Sequence, residues 1–427
     1  MGKVTAIKTG LTGFTGFELR GNPVNPVNPV EEKSWPRVKL GDLGTITRGN
    51  GIKRSETRER GYPCLRYGEI YTSYDFVLDR PRSFVSKEVF DGSLHIKKND
   101  LVFTLTGETE DEIAKTLAYL GDEEIAAGGD LAVWKDHGCD PKYLAYLMYS
   151  PELIRAKSLA SNGQIIVHIS VKKFQQIEIP LPPLAVQREI VARLEKDLAM
   201  VERMAKGFEA LKNEADQLFK STLKETFEEV SRGGTETRRL GDVCEIQRGG
   251  SPRPIKNFIT DDQNGLNWIK IGDVSPDGKY ITKTADKIKQ SGLSKTRQVF
   301  EGDFLLSNSM SFGRPYILRI NGCIHDGWLV LRGFKNTYLE DYFYYLLRSD
   351  CVQDQFNKLA HGSTVRNLNT EAVAMVEVCE ASFSAQRTVV ARLDAAKAKC
   401  EAIKSAAQRG AAECARLRKA ILKEAFE

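Results

Sequence analysis

The chain has 427 residues, of which 41% are hydrophobic, and a net charge of +5 from 62 basic and 57 acidic side chains. This length and apolar content predict a soluble globular protein of two or three domains. No apolar run approaches the roughly 20 residues that a membrane span needs, and the start, MGKVTAIKTGLTGF, lacks the apolar block and cleavage site of a signal peptide. We therefore expect a cytoplasmic protein with no membrane contact.

The eight cysteines and five histidines are scattered along the chain. No two cysteines have the CxxC spacing that metal ligation or redox exchange usually needs, and no HxxxH or HxH pair is present to hold a metal. The sequence therefore predicts reduced core cysteines and no metal site.

Residues 1–35 are predicted to be a tail or linker. Three NPV triplets occupy 22–30, and proline removes a backbone donor and biases the preceding residue towards extended conformations. A helix is therefore not expected in this segment, which has no counterpart elsewhere in the chain.

Residues 36–183 and 232–382 are predicted to be two globular domains of α/β (α+β) class. Each mixes short β-rich runs, such as LVFTL and IEIPLP in the first and DFLLS and WLVLR in the second, with Gly, Asn and Asp turns. One helical stretch is expected in each domain, PKYLAYLMYS and EDYFYYLLRS.

An internal repeat relates these two domains. The triplet LGD at 40–42 recurs at 240–242, the pair RG at 48–49 recurs at 248–249, and LKETFE at 223–228 recurs as LKEAFE at 422–427. A period of about 200 residues indicates duplicated domains rather than the short units of a solenoid. The sequence thus predicts two tandem domains in a pseudo-two-fold arrangement.

Two long helices follow the domains, at 184–231 and 383–427. QREIVARLEK at 187–196 returns as QRTVVARLDA at 386–395, and apolar residues then continue at alternating steps of three and four, which is typical of a coiled-coil seam. The predicted seam positions are Ile190, Leu194, Val201, Met204, Phe208, Leu211, Ala215 and Leu218 in the first helix, and Val389, Leu393, Ala396, Cys400, Ile403, Ala407, Cys414, Leu417 and Ile421 in the second. The short link at 231–237 favours antiparallel pairing of the two helices into a long rod. The alternative is that each helix packs on its own domain.

Basic residues concentrate in one glycine-interrupted loop of each domain. RGNGIKRSETRERG at 48–61 has five basic and two acidic residues, and RGGSPRPIKNF at 248–258 has three basic residues and no acid. Basic side chains on such loops can reach DNA phosphates.

The junction LPPLAVQREIVARL at 181–194 resembles the one that opens the conserved helices of specificity (S) subunits of Type I restriction–modification systems. LGDLGTITRGNG at 40–51, LGDVCEIQRGGS at 240–251 and HGSTVRNLNTEAV at 361–373 are similar to further segments of this family. The resemblance covers about 36–427, in the family's order and in duplicate. It implies two target-recognition domains separated by two conserved helices.

The resemblance also implies sequence-specific binding to double-stranded DNA. Each domain would read one half of a bipartite, gapped target, because one domain can cover only a few base-pair edges, and the helices would set the gap. The candidate DNA-binding residues are Arg48, Lys53, Arg54, Arg58, Arg66, Gln164, Arg248, Arg253, Lys256, Lys270, Arg314, Ser363, Thr364, Arg366 and Asn367. The candidate partner-binding residues on the helices are Gln187, Arg188, Gln386 and Arg387.

Catalysis is expected in partner proteins rather than in this chain. The sequence has no Gly-rich cofactor loop with an Asn/Asp-Pro-Pro-aromatic motif, no GxxxxGK[ST] motor motif and no spacing that suggests a catalytic triad. The resemblance implies two modification (M) subunits that bind S-adenosylmethionine and methylate adenine, and restriction (R) subunits that use ATP and Mg²⁺. The alternatives are a DNA-independent scaffold, with two ligand-binding globules on a coiled-coil rod, and a stand-alone nuclease.

Overall fold

In a computed structural model of the chain, the described residues are 35–163, 166–276, 278–309, 312–360 and 367–426. The predicted tail, apart from its last residue, lies outside them. The chain divides into two compact units, the first comprising Met1–Glu202 and Ala415–Glu427 and the second Arg203–Cys414.

The first unit is a two-sheet domain with helices on its outer side. Its strands are β1 (Arg37–Lys39), β2 (Thr45–Arg48), β3 (Tyr62–Leu65), β4 (Val77–Leu78), β5 (Ser83–Val85), β6 (Leu94–Ile96), β7 (Leu101–Thr104), β8 (Thr106–Gly107), β9 (Thr116–Tyr119), β10 (Ile125–Ala127), β11 (Leu131–Lys135), β12 (Val167–His168) and β13 (Glu178–Pro180). Its helices are α1 (Tyr67–Ser73), α2 (Lys87–Asp91), α3 (Pro141–Leu147), α4 (Pro151–Ala160), α5 (Val171–Phe174) and the start of α6 (Leu184–Arg232), with 3₁₀ turns at Leu40–Asp42, Arg54–Glu56 and Glu110–Glu112.

The core of this unit has two parts: one lies between its two larger sheets, and the other lies between the five-stranded sheet and helix α3. A five-stranded sheet has the order β2-β11-β7-β9-β4 and a four-stranded sheet the order β5-β3-β10-β6. Side chains alternate along β7: Leu101 and Phe103 join the cluster that contains α3, whereas Val102 joins the cluster shared with the second sheet. The all-apolar run LVF is therefore buried on both faces.

The second unit repeats this architecture. Its strands are β14 (Glu236–Arg239), β15 (Glu245–Arg248), β16 (Ile259–Thr260), β17 (Leu266–Ile269), β18 (Tyr280–Ile281), β19 (Asp286–Ile288), β20 (Arg297–Val299), β21 (Phe304–Ser307), β22 (Pro315–Leu318), β23 (Gly322–Ile324), β24 (Trp328–Arg332) and β25 (Glu377–Glu380). Its helices are α7 (Leu240–Val243), α8 (Glu340–Arg348), α9 (Asp350–Leu359), α10 (Thr370–Ala374) and most of α11 (Phe383–Glu424), with 3₁₀ turns at Ile255–Asn257, Ile271–Asp273, Gln290–Lys295 and Phe334–Asn336.

The strand order confirms the predicted duplication. The sheets here run β15-β24-β21-β22-β18 and β16-β19-β17-β23-β20, so only the edge strand β16 lacks a counterpart in the first unit. In β21, Phe304 and Leu306 face the helices while Leu305 faces the second sheet, as in β7. In each unit an antiparallel pair, β1–β13 or β14–β25, brings the two ends of the domain together before the long helix begins.

The expectation of one helical stretch in each domain is wrong. The predicted stretches form α3 and α8, but α4 and α9 follow them directly. Helix α4 has clear start signals, since Ser150 accepts a hydrogen bond from the Leu153 amide and Pro151 occupies the first turn. Ser150, the last residue of the predicted stretch, is the N-cap of the next helix.

The predicted antiparallel coiled coil is confirmed by contacts within the second unit. Lys404 Nζ lies 2.7 Å from an Asp216 carboxylate oxygen, and Arg392 Nη1 lies 2.5 Å from a Glu229 carboxylate oxygen. Positions that ascend in α6 thus meet positions that descend in α11. In the first unit, Leu422 of α11 packs in one cluster with Val191 and Leu194 of α6.

Halfway along the two helices, only one of the two predicted seam rows faces inward, although Ile190 and Val389 of the other row pack in the cores near the helix starts. The row Leu194, Val201 and Ala215 is buried, whereas Met204, Leu211 and Leu218 are 45%, 43% and 51% exposed. The inward neighbours are the next residues along the chain, Ala205, Lys212 and Phe219, which are each partly buried. Ile403 and Leu417 of α11 are likewise exposed, with Lys404 and Arg418 partly buried beside them.

Candidate nucleic-acid interface

The repeated Arg-Gly pair ends the edge strand of the large sheet in each domain. Arg48 closes β2 and Arg248 closes β15. The amides of Gly49 and Gly249 donate to the carbonyls of Leu131 (2.8 Å) and Trp328 (2.9 Å) on the neighbouring strand.

Close backbone approach explains why glycine follows each arginine. A Cβ at Gly49 would lie 2.2 Å from the Gly128 carbonyl oxygen, and one at Gly249 would lie 2.1 Å from the His325 carbonyl oxygen. Both distances are far below van der Waals contact. The glycines therefore fix where the basic loops leave the sheet.

In the first domain, Arg48 is held by the turn that precedes β11. Its Nε donates to the Gly129 carbonyl (3.1 Å) and its Nη2 to Asp130 Oδ1 (3.3 Å). The Arg48 side chain remains 64% exposed. This arrangement orients the guanidinium while leaving the rest of it accessible.

In the second domain, Asp326 accepts hydrogen bonds from three residues of the corresponding loop. Arg248 Nε donates to its main-chain carbonyl (3.2 Å), Arg253 Nη2 to its Oδ2 (3.2 Å) and the Ser251 hydroxyl to its Oδ1 (2.5 Å). The Ser251 hydrogen bond is the main cause that lowers the pKa of Asp326 below its usual range. Asp326 is therefore ionised at neutral pH.

A cleft of about 1240 Å³ opens beside this loop. It brings together three predicted DNA-binding residues, Arg253, Lys256 and Lys270, and adds Trp268 and His325 to its lining. Burial lowers the pKa of His325. Both of its ring nitrogens lie within hydrogen-bond distance of main-chain amides, Nε2 of Ile271 (3.2 Å) and Nδ1 of Gly327 (2.7 Å), so this side chain shapes the wall of the cleft.

Lys270 is the least exposed of these three cations and, like Arg253, is paired with an aspartate. Its Nζ forms an ion pair with Asp286, with the two side chains 38% and 36% exposed. Lys256 is exposed in the turn at 255–257, and Arg253 is 78% exposed. The exposed rim of the cleft is therefore basic, whereas the less exposed Lys270 is neutralised by Asp286.

Asn367 and Arg314 lie near strand β21 of the same domain. Ser309, which lines the cleft, forms a backbone bridge with the exposed Asn367. Arg314 is partly buried, and its amide donates to the Ser307 hydroxyl (3.0 Å). The candidates Gln164, Ser363, Thr364 and Arg366 lie outside the described residues.

The remaining first-domain candidates fall into two groups. Lys53, Arg54 and Arg58 are exposed on the loop between β2 and β3. Arg66 is different: its side chain is only 28% exposed, and its Nε is buried 3.9 Å from Glu69 Oε2. Its position at the start of α1 corresponds to that of Lys270, because both main-chain amides donate to an acid three residues on.

The glutamines of the Gln-Arg repeat face their own domains. Gln187 is 3% exposed, accepts from the Asp140 amide (2.8 Å) and donates to the Pro182 carbonyl (2.9 Å). Gln386 is fully buried. Its side chain accepts a hydrogen bond from the Leu339 amide and donates to the Ala381 carbonyl, as Gln187 does in the first domain, and it also donates to the Thr337 carbonyl. They anchor the helices rather than forming a partner surface, which corrects the sequence-based assignment. Arg188 and Arg387 are exposed, and their predicted partner contacts stay a prediction.

Sequence reasoning missed the carboxylates beneath the loop arginines. Asp130 and Asp326 lie in the corresponding turn of each domain, between β10 and β11 and between β23 and β24, but one position apart in the repeat. Each lies more than 70 residues from its arginine in sequence. The signal that could have found them is that a glycine adjoins each aspartate in a short turn before a buried strand.

Two further findings concern the described ranges only. They contain no group of three or more His, Cys, Asp or Glu side chains arranged to hold a metal ion. None of their helices is long and apolar enough to cross a membrane.

A family model described as "Type I restriction modification DNA specificity domain" matches the chain twice, at 32–205 and 233–408. The chain belongs to this family. The two matches fall on the two copies of the Arg-Gly loop described above, and they favour the specificity subunit over the DNA-independent scaffold.

Comparison with known proteins agrees over most of the chain. A Type I restriction enzyme MjaVIII specificity subunit from Methanocaldococcus jannaschii is 24% identical over 387 residues, covering 84% of this chain and 85% of that protein. A putative MjaX specificity subunit from the same organism is 21% identical over 382 residues, covering 85% of this chain and 87% of that protein.

Solved structures share the fold of this specificity subunit. One, from a study of assembly and conformational transition in a Type I restriction–modification system, has a TM-score of 0.70 at 21% identity and covers 92% of this chain and 98% of its own. The HsdS subunit of Thermoanaerobacter tengcongensis has a TM-score of 0.56 at 20% identity and covers 92% and 97%.

Proposed function

We propose that each domain of this specificity subunit reads one half of a bipartite, gapped target in double-stranded DNA. The observation that carries the proposal is one geometry that occurs in both domains, although their loops differ in sequence. In each, the arginine that ends an edge strand and precedes a glycine donates from Nε to a main-chain carbonyl of the facing turn, at the start of a basic loop. Two separate surfaces are needed to read an unsymmetrical sequence, because a single domain covers only a few base-pair edges.

The exposed cations divide by what they can contact. Arginine recognises guanine through two parallel hydrogen bonds in the major groove, whereas lysine binds phosphate as a point charge. We assign base reading to Arg48, Arg248 and Arg253, which are oriented by hydrogen bonds, and phosphate contact to Lys53 and Lys256, which are exposed.

We further infer that the exposed apolar row on α6 docks a modification subunit. Met204, Leu211 and Leu218 recur every seven residues and therefore share one face of the helix. An exposed stripe of large apolar side chains marks a protein contact. Since the Gln-Arg helix start occurs twice, we propose two modification subunits, one for each repeat.

Chemistry in the proposed complex belongs to the partners. Modification subunits would supply S-adenosylmethionine and methylate adenine, and restriction subunits would use ATP and Mg²⁺. The support is the family membership of this chain together with the two observations above, the paired basic loops and the apolar row.

The DNA-binding part is tested by salt titration of the purified complex of this chain with its modification subunits. The logarithm of the association constant for duplex DNA should fall linearly with the logarithm of the salt concentration, with a slope of about −0.9 for each neutralised phosphate. Lys256→Ala should weaken binding to all sequences alike and reduce the slope by about one, whereas Arg253→Ala should relax the base preference at one position. Equal effects of the two substitutions on all sequences would refute the division into base and phosphate contacts.

The docking part is tested with the double variant Leu211→Ser and Leu218→Ser. It should lower the number of modification subunits bound, measured by the mass of the complex in solution, while the isolated chain keeps its melting temperature because both residues are exposed. The matched control is Asn213→Ser with Lys220→Ser, two exposed residues with the same spacing that lie off this row. Full assembly of the leucine variant would contradict the docking proposal.

A further inference from the structure

A carboxylate lies among the basic residues of each recognition loop. Asp130 binds Arg48 in the first domain, and Asp326 binds Arg253 and, through its carbonyl, Arg248 in the second. These aspartates are 58% and 43% exposed, so both face the same solvent as the arginines.

Stability does not explain why an acid is placed there. An exposed ion pair between flexible side chains contributes about 0–1 kcal/mol. At a DNA-facing surface the same carboxylate also repels phosphate, which weakens binding to DNA of any sequence. A surface selected only for affinity would therefore lack these acids.

What the aspartates do is limit how the arginines can move. Arg48 has both Nε and Nη2 engaged, and an arginine has five N–H donors, so a free edge remains for a base. A guanidinium held in one orientation loses less conformational entropy when it forms two parallel bonds to guanine.

Asp326 is itself held rigidly. The Ser251 hydroxyl donates to its Oδ1, and Asn308 Nδ2 donates to its carbonyl (2.9 Å). Asp326 thus joins the loop at 248–253 to Asn308, the residue that follows β21. Asp130 makes fewer such bonds, so the larger effect is expected in the second domain.

We propose that Asp130 and Asp326 are specificity-determining positioning residues. Each orients the loop arginines for the bases of its own half-site, and its negative charge lowers the affinity of the same loop for DNA of other sequences. This inference rests on the proposed function, because it requires that the two loops contact DNA.

The test uses the full chain in complex with its modification subunits, comparing Asp130→Asn and Asp326→Asn with the parent. Two quantities are measured: the dissociation constant for a random-sequence duplex, and the adenine-methylation motif in cells. Asp326→Asn should bind random duplex about threefold tighter or more, while the methylated motif becomes degenerate in one half only. Asp130→Asn should relax the other half.

Two further variants separate charge from orientation. Asp261→Asn makes the same charge change at an exposed residue outside the cleft lining, and it should leave the motif unchanged. Ser251→Ala removes the hydrogen bond to Asp326 Oδ1 without changing the charge of the loop. It should relax the motif with no gain in affinity for random duplex.

The outcomes distinguish the inference from the proposed function. The inference would be overturned if Asp326→Asn changed neither the methylation motif nor the affinity for random duplex. It would also be overturned if methylation and DNA binding were both lost together with a lowered melting temperature. If Arg248→Ala and Arg253→Ala also leave the parental motif intact, the loop does not read DNA, and the proposed function fails as well.

Discussion

Residues that recur in both halves of the chain do so for different reasons at the residue scale. The glycines after Arg48 and Arg248 recur because a carbonyl oxygen occupies the space that a side chain would need. Gln187 and Gln386 recur because each anchors a helix start by buried hydrogen bonds. Repetition in one sequence marks such positions, but it does not show whether a side chain points inward or outward.

Gly249→Ala should destabilise the second domain. Its Cβ would meet the His325 carbonyl at 2.1 Å, and neither backbone segment can move without breaking the bond between the Gly249 amide and Trp328. We expect a loss of about 1–3 kcal/mol, as for other overpacked sites, measured by thermal unfolding. Gly272→Ala is the control, since a Cβ at Gly272 would meet no atom within 4 Å; equal melting temperatures for the two variants would contradict the argument.

Gln386→Ala should be more harmful than its neighbour Arg387→Ala. It leaves one buried amide and two buried carbonyls without a partner, which costs about 2–4 kcal/mol in total. Arg387 is exposed, so its loss should change stability by less than about 0.5 kcal/mol. Urea unfolding of both variants gives the comparison, and a Gln386→Ala variant as stable as Arg387→Ala would show that water replaces the lost bonds.

Lys157 predicts a pH dependence of stability. It is 2% exposed, and burial lowers its pKa from the usual 10.5 to about 7. Between these two pKa values, Lys157 is protonated in the unfolded chain but not in the folded chain, so the free energy of unfolding rises with pH. The destabilisation from burying the charged ammonium is fully present below about pH 7. Lys157→Met should therefore stabilise the protein near pH 6 by on the order of 2–4 kcal/mol, with the gain shrinking towards pH 10. The measurement is the melting-temperature difference from the parent across this range, with the exposed Lys172→Met as control; a constant difference would show that Lys157 does not titrate there.

At the scale of elements, apolar periodicity predicted the long helices and the central strands but placed one seam row a residue too early. Steps of three after Val201 and Ala215 selected Met204 and Leu218, whereas the helix turns Ala205 and Phe219 inward. The inward row also contains Lys212, and Lys404 in α11, whose aliphatic stems pack while their charges pair outside with Glu209 and Asp216. Hydrophobicity alone therefore selected the row of Met204, Leu211 and Leu218, although these large apolar side chains are exposed on the surface of the helix.

The corrected seam gives an expectation for stability. Leu393 is fully buried in the cluster that contains Leu223 and Phe227, so Leu393→Ala should cost about 2–5 kcal/mol. Ile403 is 36% exposed, and Ile403→Ala should cost much less. Denaturant midpoints of the two variants test whether the row of Ile403 faces outward, and an equal or larger loss for Ile403→Ala would contradict it.

At the scale of the whole molecule, the repeat, the two domains and the family all followed from duplicated motifs. The contacts that shape the candidate site did not, because Arg48 and Asp130 are 82 residues apart and Arg253 and Asp326 are 73 apart. These pairs form because strands far apart in the sequence are neighbours in the sheet, and a single sequence does not show which strands pair.

The central claim is that the two domains read two independent half-sites. The most direct measurement is sequencing of adenine methylation in cells that carry this chain with its modification subunits, before and after residues 236–380, which β14 and β25 enclose, are replaced by the matching segment of another specificity subunit. We expect a gapped motif that requires this chain, and a change in only one half of that motif after the replacement. A motif that is unaffected by the replacement, or one that changes in both halves, would contradict it.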